Sequence, residues 1–336
     1  PATWLQLIET GEDHISPQEL ARELLAAPKD LLVGDVRPAA EYAAWHLPTA
    51  VNLTVPQVCG DAGRALFAQQ PRLVVLYSNG PAHPGQAWVE LRRQGHTNVV
   101  VLDGGLDAFK AQVLTPPSLR AGATEADSKA EQPEFALVKA FFLGDPAPNA
   151  LATWATDPPR LEQPTMVSPR WLHEHLGEVV VLDVRKREEF AALHVPGARF
   201  LPLAELRVKQ GDRDLFFVPD AELAAHFGRL GIQRSTPVVL CSDAKFQDAT
   251  LAAVALLRLG HRALAILEGG MLRWATERRP LTADVAIVQP ARYEPLPGAA
   301  AFAIELDQLA TEVQAGSTAV LDVRPPEFFR GEKSTE

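Results

Sequence analysis

Cysteine is nearly absent from this chain: Cys59 and Cys241 are the only two in 336 residues. Two thiols build no disulfide framework and no four-cysteine zinc site. Basic residues are outnumbered, 32 against 42 acidic ones, for a formal net charge of -10. No basic face is therefore expected to compete for phosphates, which argues against a nucleic-acid partner. No apolar run approaches the roughly 18 residues of a membrane helix, so no membrane partner is expected. His173 and His175 lie two apart on a helical pattern, face different ways and make no metal pair. The chain starts at Pro1 without a Met. A leader removed before export and a cytoplasmic location are both open.

What the chain has is repetition. The length suggests two or three domains. Leu32-Val33-Gly34-Asp35-Val36-Arg37 precedes Glu41-Tyr42, Val181-Leu182-Asp183-Val184-Arg185 precedes Glu189-Phe190, and Val320-Leu321-Asp322-Val323-Arg324 precedes Glu327-Phe328. Each copy follows a helical pattern. Ser16-Pro17 and Ser168-Pro169 open the first two, with serine as N-cap and proline at the first helical position. A weaker pattern runs from Glu305 to Val313. The order in each copy is helix, then a short buried strand, then Asp-x-Arg at the strand's C-terminal end.

The first two copies continue in parallel. His46-Leu47-Pro48-Thr49-Ala50 matches His194-Val195-Pro196-Gly197-Ala198, and Leu73 to Ser78 matches Pro237 to Ser242. A helix ending near Gly95 or Gly260 follows, then a second apolar strand. Each unit closes on Asp103-Gly104-Gly105 or Glu268-Gly269-Gly270 before an aromatic, Phe109 or Trp274. Short continuous apolar strands alternating with helices predict α/β units, each a small parallel sheet with helices on both faces. The expected division is repeat 1 over 1–112, a linker over 113–165, repeat 2 over 166–282, a linker over 283–301, and an incomplete repeat 3 over 302–336. Phe135 to Leu143 in the first linker is too apolar for free coil and is expected to pack on a domain. Repeat 3 stops before its loop strand. It cannot bury a core alone and is expected to pack on a neighbour or to continue into a further repeat C-terminal to Glu336.

These motifs, in one order and twice over, resemble the rhodanese family of sulfurtransferases and their inactive relatives. The likeness spans about Ile15 to Gln112 and Val167 to Leu281, with the incomplete copy from about Ile304. Val218-Pro219-Asp220 through Phe227 to Ile232 looks like the tandem thiosulfate sulfurtransferase branch. The resemblance implies tandem rhodanese-like domains and a loop of backbone N–H groups around a cysteine that carries a persulfide. Sulfur would pass from thiosulfate or a similar anion to a thiol or other thiophilic acceptor, with no cofactor.

That chemistry needs a thiolate in the loop, held by convergent N–H dipoles. In the first repeat the family pattern puts Ser78 at the nucleophile position, followed by Asn79, Gly80, Pro81 and His83. Serine forms no persulfide, and Pro81 and Pro84 each remove a donor. In the second repeat, aligning Val238-Val239-Leu240 with Val74-Val75-Leu76 matches Cys241 to Tyr77 and Ser242 to Ser78. Cys241 is then a buried strand residue, among the commonest fates of a free thiol. A register one residue later makes it the sulfur carrier. Spacing to Gly260 favours Ser242. Asp243 and Asp248 disfavour an anionic sulfur, which Lys245 offsets in part. Cys59 has no counterpart in the family pattern.

Asp35, Arg37, Asp183, Arg185, Asp322 and Arg324 read as scaffold. Arg37 with Glu41, and Arg185 with Glu189, are four apart and are expected to pair at the start of the next helix. The expectation is a sulfurtransferase at the level of the full-length protein, with both complete repeats inactive. The alternatives are a non-catalytic anion-binding or protein-interaction scaffold and, last, a cysteine-phosphatase relative.

Overall fold

The computed structural model describes residues 13–80, 82–120, 124–144, 157–210, 213–243, 246–299, 304, 306–322 and 324–333. The first repeat runs β1 (His14–Ile15), α1 (Pro17–Ala26), β2 (Leu31–Asp35), α2 (Ala39–Ala44), β3 (Val51–Asn52), α3 (Val55–Val58), α4 (Asp61–Phe67), β4 (Leu73–Tyr77), α5 (Ala82–Arg93), β5 (Val99–Leu102) and α6 (Gly105–Phe109). Ser16 caps α1 by accepting from the Glu19 N–H, and Glu19 returns the bond in a capping box. The sheet order is β1-β5-β4-β2-β3, all parallel.

A long helix, α7 (Glu125–Leu143), follows. The stretch expected to be a linker therefore contains a 19-residue helix, and the apolar half of that helix is the stretch that stood out in the sequence. Phe135, Leu137, Val138, Phe141 and Phe142 are buried there in a core that both repeats share.

The second repeat runs β6 (Thr165–Val167), α8 (Pro169–Glu174), β7 (Val180–Asp183), α9 (Arg187–Ala192), β8 (Arg199–Phe200), β9 (Arg207–Gln210), β10 (Arg213–Phe217), α10 (Asp220–Arg229), β11 (Val238–Cys241), α11 (Gln247–Arg258), β12 (Leu264–Leu267) and α12 (Gly270–Thr276). Its main sheet, β6-β12-β11-β7-β8, repeats the first sheet's order, and the β9–β10 pair is an addition to it. Ser168 caps α8 as Ser16 caps α1.

Alternation along the two central strands divides the cores. Val75 and Tyr77 of β4, and Val239 and Cys241 of β11, enter the core between the repeats. Val74 and Leu76 face the outer core of the first repeat, and Val238 and Leu240 that of the second. The segment after α12 lies along the second repeat: Thr282 and His194 exchange backbone hydrogen bonds, Ala291 N–H donates to Gly228, and Leu296 N–H to Leu259.

The third copy forms α13 (Leu306–Gln314) and α14 (Pro326–Phe329) but, among its described residues, no strand. Val320 and Leu321 are 60% and 87% exposed, whereas the equivalent Val181 and Leu182 are buried. The expected buried strand is thus corrected. A strand of this kind is held by its neighbours, and among the described residues none pairs with this segment. The expected packing on a neighbour is also not seen for these two residues.

Candidate active loops

The geometry begins at the ends of the central strands. In the first repeat Asp35 pairs in register with Tyr77, and in the second Asp183 pairs with Cys241. The Val36 N–H donates to the Tyr77 carbonyl and the Val184 N–H to that of Cys241, both at 2.9 Å. One residue on, Leu106 N–H donates to Ser78 O at 2.8 Å and Met271 N–H to Ser242 O at 2.9 Å. Three matched contacts place Cys241 where Tyr77 stands and Ser242 where Ser78 stands. Cys241 is the last strand residue, fully buried, and Ser242 is the first of the loop.

Burial pushes the Cys241 thiol well above its ordinary value, the Asp183 carboxylate pushes it further, and Arg185 opposes them only in part. This is the reverse of an activated nucleophile, which needs a neighbouring positive charge or N–H dipoles and access to solvent.

Both serine hydroxyls are turned onto their own loops. Ser78 Oγ donates to the Gly80 carbonyl at 2.5 Å, and Ser242 Oγ to the Asp243 carbonyl at 3.0 Å. Carbonyl oxygens therefore lie beside the nucleophile positions, a poor surrounding for an anion. Gly105 and Gly270 have positive φ and press on these loops: a Cβ there would lie 2.5 Å from Asn79 O and 2.2 Å from Asp243 O. The close approach demands glycine.

Asn79 ties the first loop to the Asp-x-Arg element. Its Nδ2 donates to Glu41 at 2.7 Å and its Oδ1 accepts from Arg37 at 3.4 Å. His83 is exposed in the first turn of α5, and Asp243 is exposed in the second loop. Pro81 and Lys245 lie outside the described residues.

The expected pairing of Arg37 with Glu41 and of Arg185 with Glu189 is replaced by a different one. Each guanidinium folds back two residues onto the strand-end carboxylate. Arg37 Nε and Nη2 donate to Asp35 at 3.0 and 2.6 Å, and Arg185 makes the same bonds to Asp183. The backbone N–H of each arginine adds a bond to the same carboxylate. Nη2 then reaches a carbonyl eight residues on, Trp45 O or Leu193 O. The pairing differs because each arginine precedes its helix, where helical spacing does not apply, and because a fully buried carboxylate demands the partner most. Arg324 and Asp322 repeat the fork, but Arg324 is half exposed.

The sequence reading missed Tyr77. Its hydroxyl accepts from the Leu47 N–H at 3.1 Å beside Asp35, and burial holds its pKa far above the usual range. The one available signal was its place in the repeat alignment opposite Asp35. Tyr77→Phe is expected to cost about 1–3 kcal/mol, because the Leu47 N–H loses its partner in a dry site. Faster hydrogen exchange at Leu47, with Ser78 unaffected, is the measurement that checks it.

The chain is similar to known proteins. The model of the rhodanese-like domain fits residues 16–112 and 168–277. Sulfur carrier protein TtuD of Thermus thermophilus is 33% identical over 173 residues, covering 50% of this chain and 60% of that protein. Thiosulfate sulfurtransferase of Gallus gallus is 31% identical over 190 residues, covering 49% and 63%. The match thus takes in less than two thirds of either relative. The solved structure of wild-type EanB aligns with 90% of this chain and 69% of its own at 19% identity and a TM-score of 0.39.

Proposed function

Because the chain belongs to the rhodanese-like domain family, we propose that it serves sulfane-sulfur transfer as the non-catalytic part of a larger sulfurtransferase. In this reading repeats 1 and 2 carry no persulfide. Their loops hold Ser78 and Ser242 where a sulfur carrier needs a thiol, and the shared core holds Cys241 out of reach. The observation that carries the reading is the register of Cys241 against Asp183.

The full reaction proceeds in two displacements. A thiolate attacks the outer sulfur of thiosulfate, the S–S bond breaks, and sulfite leaves with the electron pair. Cyanide or a thiol then takes that sulfur from the persulfide and the thiolate is regenerated. In the full-length protein a loop cysteine of a further repeat, C-terminal to Glu336, would supply the thiolate. A small sulfur-containing anion and a thiophilic acceptor would be its substrates.

With thiosulfate and cyanide, the 336-residue chain is expected to form no thiocyanate above the protein-free rate. The natural full-length protein is expected to form it, with the persulfide mapping to a cysteine other than Cys59 and Cys241. Turnover by the 336-residue chain that disappears in Cys241→Ser would overturn the proposal, as would an inactive full-length protein.

A further inference from the structure

The end of the second repeat opposite the Ser242 loop carries a groove of about 740 Å3, lined in part by Arg234, Ser235, Arg262 and Arg292, with Glu162 and Glu294. Arg234 comes from the turn before β11, Arg262 from the turn before β12, and Arg292 from the segment that lies along the repeat. Two other surface arginines of the repeat are neutralised: Arg258 by Asp220, Arg229 by Glu205. Arg292 lies 3.4 Å from Glu294. Arg234 and Arg262 are exposed and, among the described residues, have no carboxylate partner. Two unneutralised guanidiniums on one groove stand out in a chain of net charge -10.

The three segments are knit together from beneath. His261 is fully buried; its Nε2 donates to Thr236 O at 2.9 Å and its Nδ1 accepts from Tyr293 Oη at 3.1 Å. Thr236 closes its turn through Gln233, whose N–H donates to Thr236 Oγ1. Leu264 N–H donates to Arg262 O, and Ala291 N–H to Gly228 O. Hydrogen bonds thus fix the backbone near each arginine, and a rigid backbone lowers the ordering cost of binding.

We propose that this groove binds a doubly charged tetrahedral oxyanion of the sulfate, thiosulfate and phosphate class through Arg234 and Arg262. Guanidinium forks suit such oxygens in charge and geometry. Glu162 and Glu294 oppose the anion and restrict the site to ligands that engage both free guanidiniums. The site is separate from the loops of Ser78 and Ser242, and it stands whether or not the larger protein transfers sulfur.

Sulfate strengthens burial in any protein, so a thermal shift alone does not test the site. Sodium sulfate, thiosulfate and phosphate are titrated separately into the labelled chain, against sodium chloride at matched ionic strength. The readouts are the His261 ring and the backbone amides of 233–236 and 260–263. Burial holds the His261 pKa down and the Arg234 charge adds to that. A bound anion is therefore expected to raise it, saturably, and chloride is not. Equal response to all three anions supports a general oxyanion site, and preference for thiosulfate supports a sulfur-anion site. Arg234→Gln with Arg262→Gln is expected to weaken binding at least about tenfold. Arg170→Gln, on α8 and outside the groove lining, is expected to change nothing. No saturable response in the native chain, or a double variant within about twofold of it, would overturn the proposal.

Discussion

Asp183→Ala is expected to destabilise the second repeat by about 3–5 kcal/mol, the range for breaking a buried ion pair on one side. Asp183 is fully buried and accepts the Arg185 side chain and the Arg185 backbone N–H. Without it, Arg185 keeps only the Leu193 carbonyl for its guanidinium, in a site where its own side chain is 5% exposed. Asp183→Asn keeps the shape, loses the charge and should fall between alanine and the native residue. The third copy supplies the contrast. Asp322 makes the same fork, and those bonds hold its pKa down near 2, yet Arg324 is half exposed to solvent. Asp322→Ala should leave unfolding unchanged. Hydrogen exchange at the β7 and β11 amides, with urea unfolding of the whole chain, separates the two cases. Equal losses for Asp183→Ala and Asp322→Ala would contradict the burial argument.

Cys241 is expected to react with a disulfide reagent at least about a thousandfold more slowly than Cys59 in the folded chain. Reaching a thiol in the core of a sheet requires opening of the repeat, whose free energy approaches that of unfolding. Cys59 is half-buried, its thiol raised by burial and by Glu90 but still open to reagent. In urea the two should react alike. The same burial sets a pH dependence. The folded Cys241 pKa lies above the unfolded value, about 8.5, so the folded state holds the proton longer. Stability is therefore unaffected below about pH 8 and falls as pH rises from the unfolded pKa toward the folded one. Cys241→Ala removes the larger part of that alkaline slope and leaves the smaller part due to Cys59, at some cost at neutral pH for the lost packing. A native chain whose stability is flat from pH 8 to 10 would contradict a buried neutral thiol; these limits bracket the ordinary cysteine range of roughly 8–9.

How much of this was legible in the sequence depended on whether the determinant was local. The strand ends of the two complete repeats were legible because Asp35 and Asp183 recur after apolar runs. The place of Cys241 was legible only by comparison: Val-Val-Leu-Cys alone suits either register, and Tyr77 in the sister repeat decides between them. The partner of Arg37 was not legible. Helical spacing offered Glu41, but the desolvated Asp35 carboxylate attracts the guanidinium more strongly. The length of α7 was hidden by the Pro, Ala, Asp and Glu around it, since its stability comes from packing Phe141 and Phe142 between the repeats. The strand expected at Val320 does not form among the described residues, because a strand's pattern is local in the sequence while its pairing depends on neighbouring strands.

The central claim is that neither repeat can hold a sulfane sulfur. Intact mass of the chain after incubation with thiosulfate, followed by removal of free reagent, tests it most directly. The account predicts a mass identical to the untreated chain. One added sulfur atom, retained in Cys59→Ser and lost in Cys241→Ser, would show that Cys241 reaches the loop and would contradict the account.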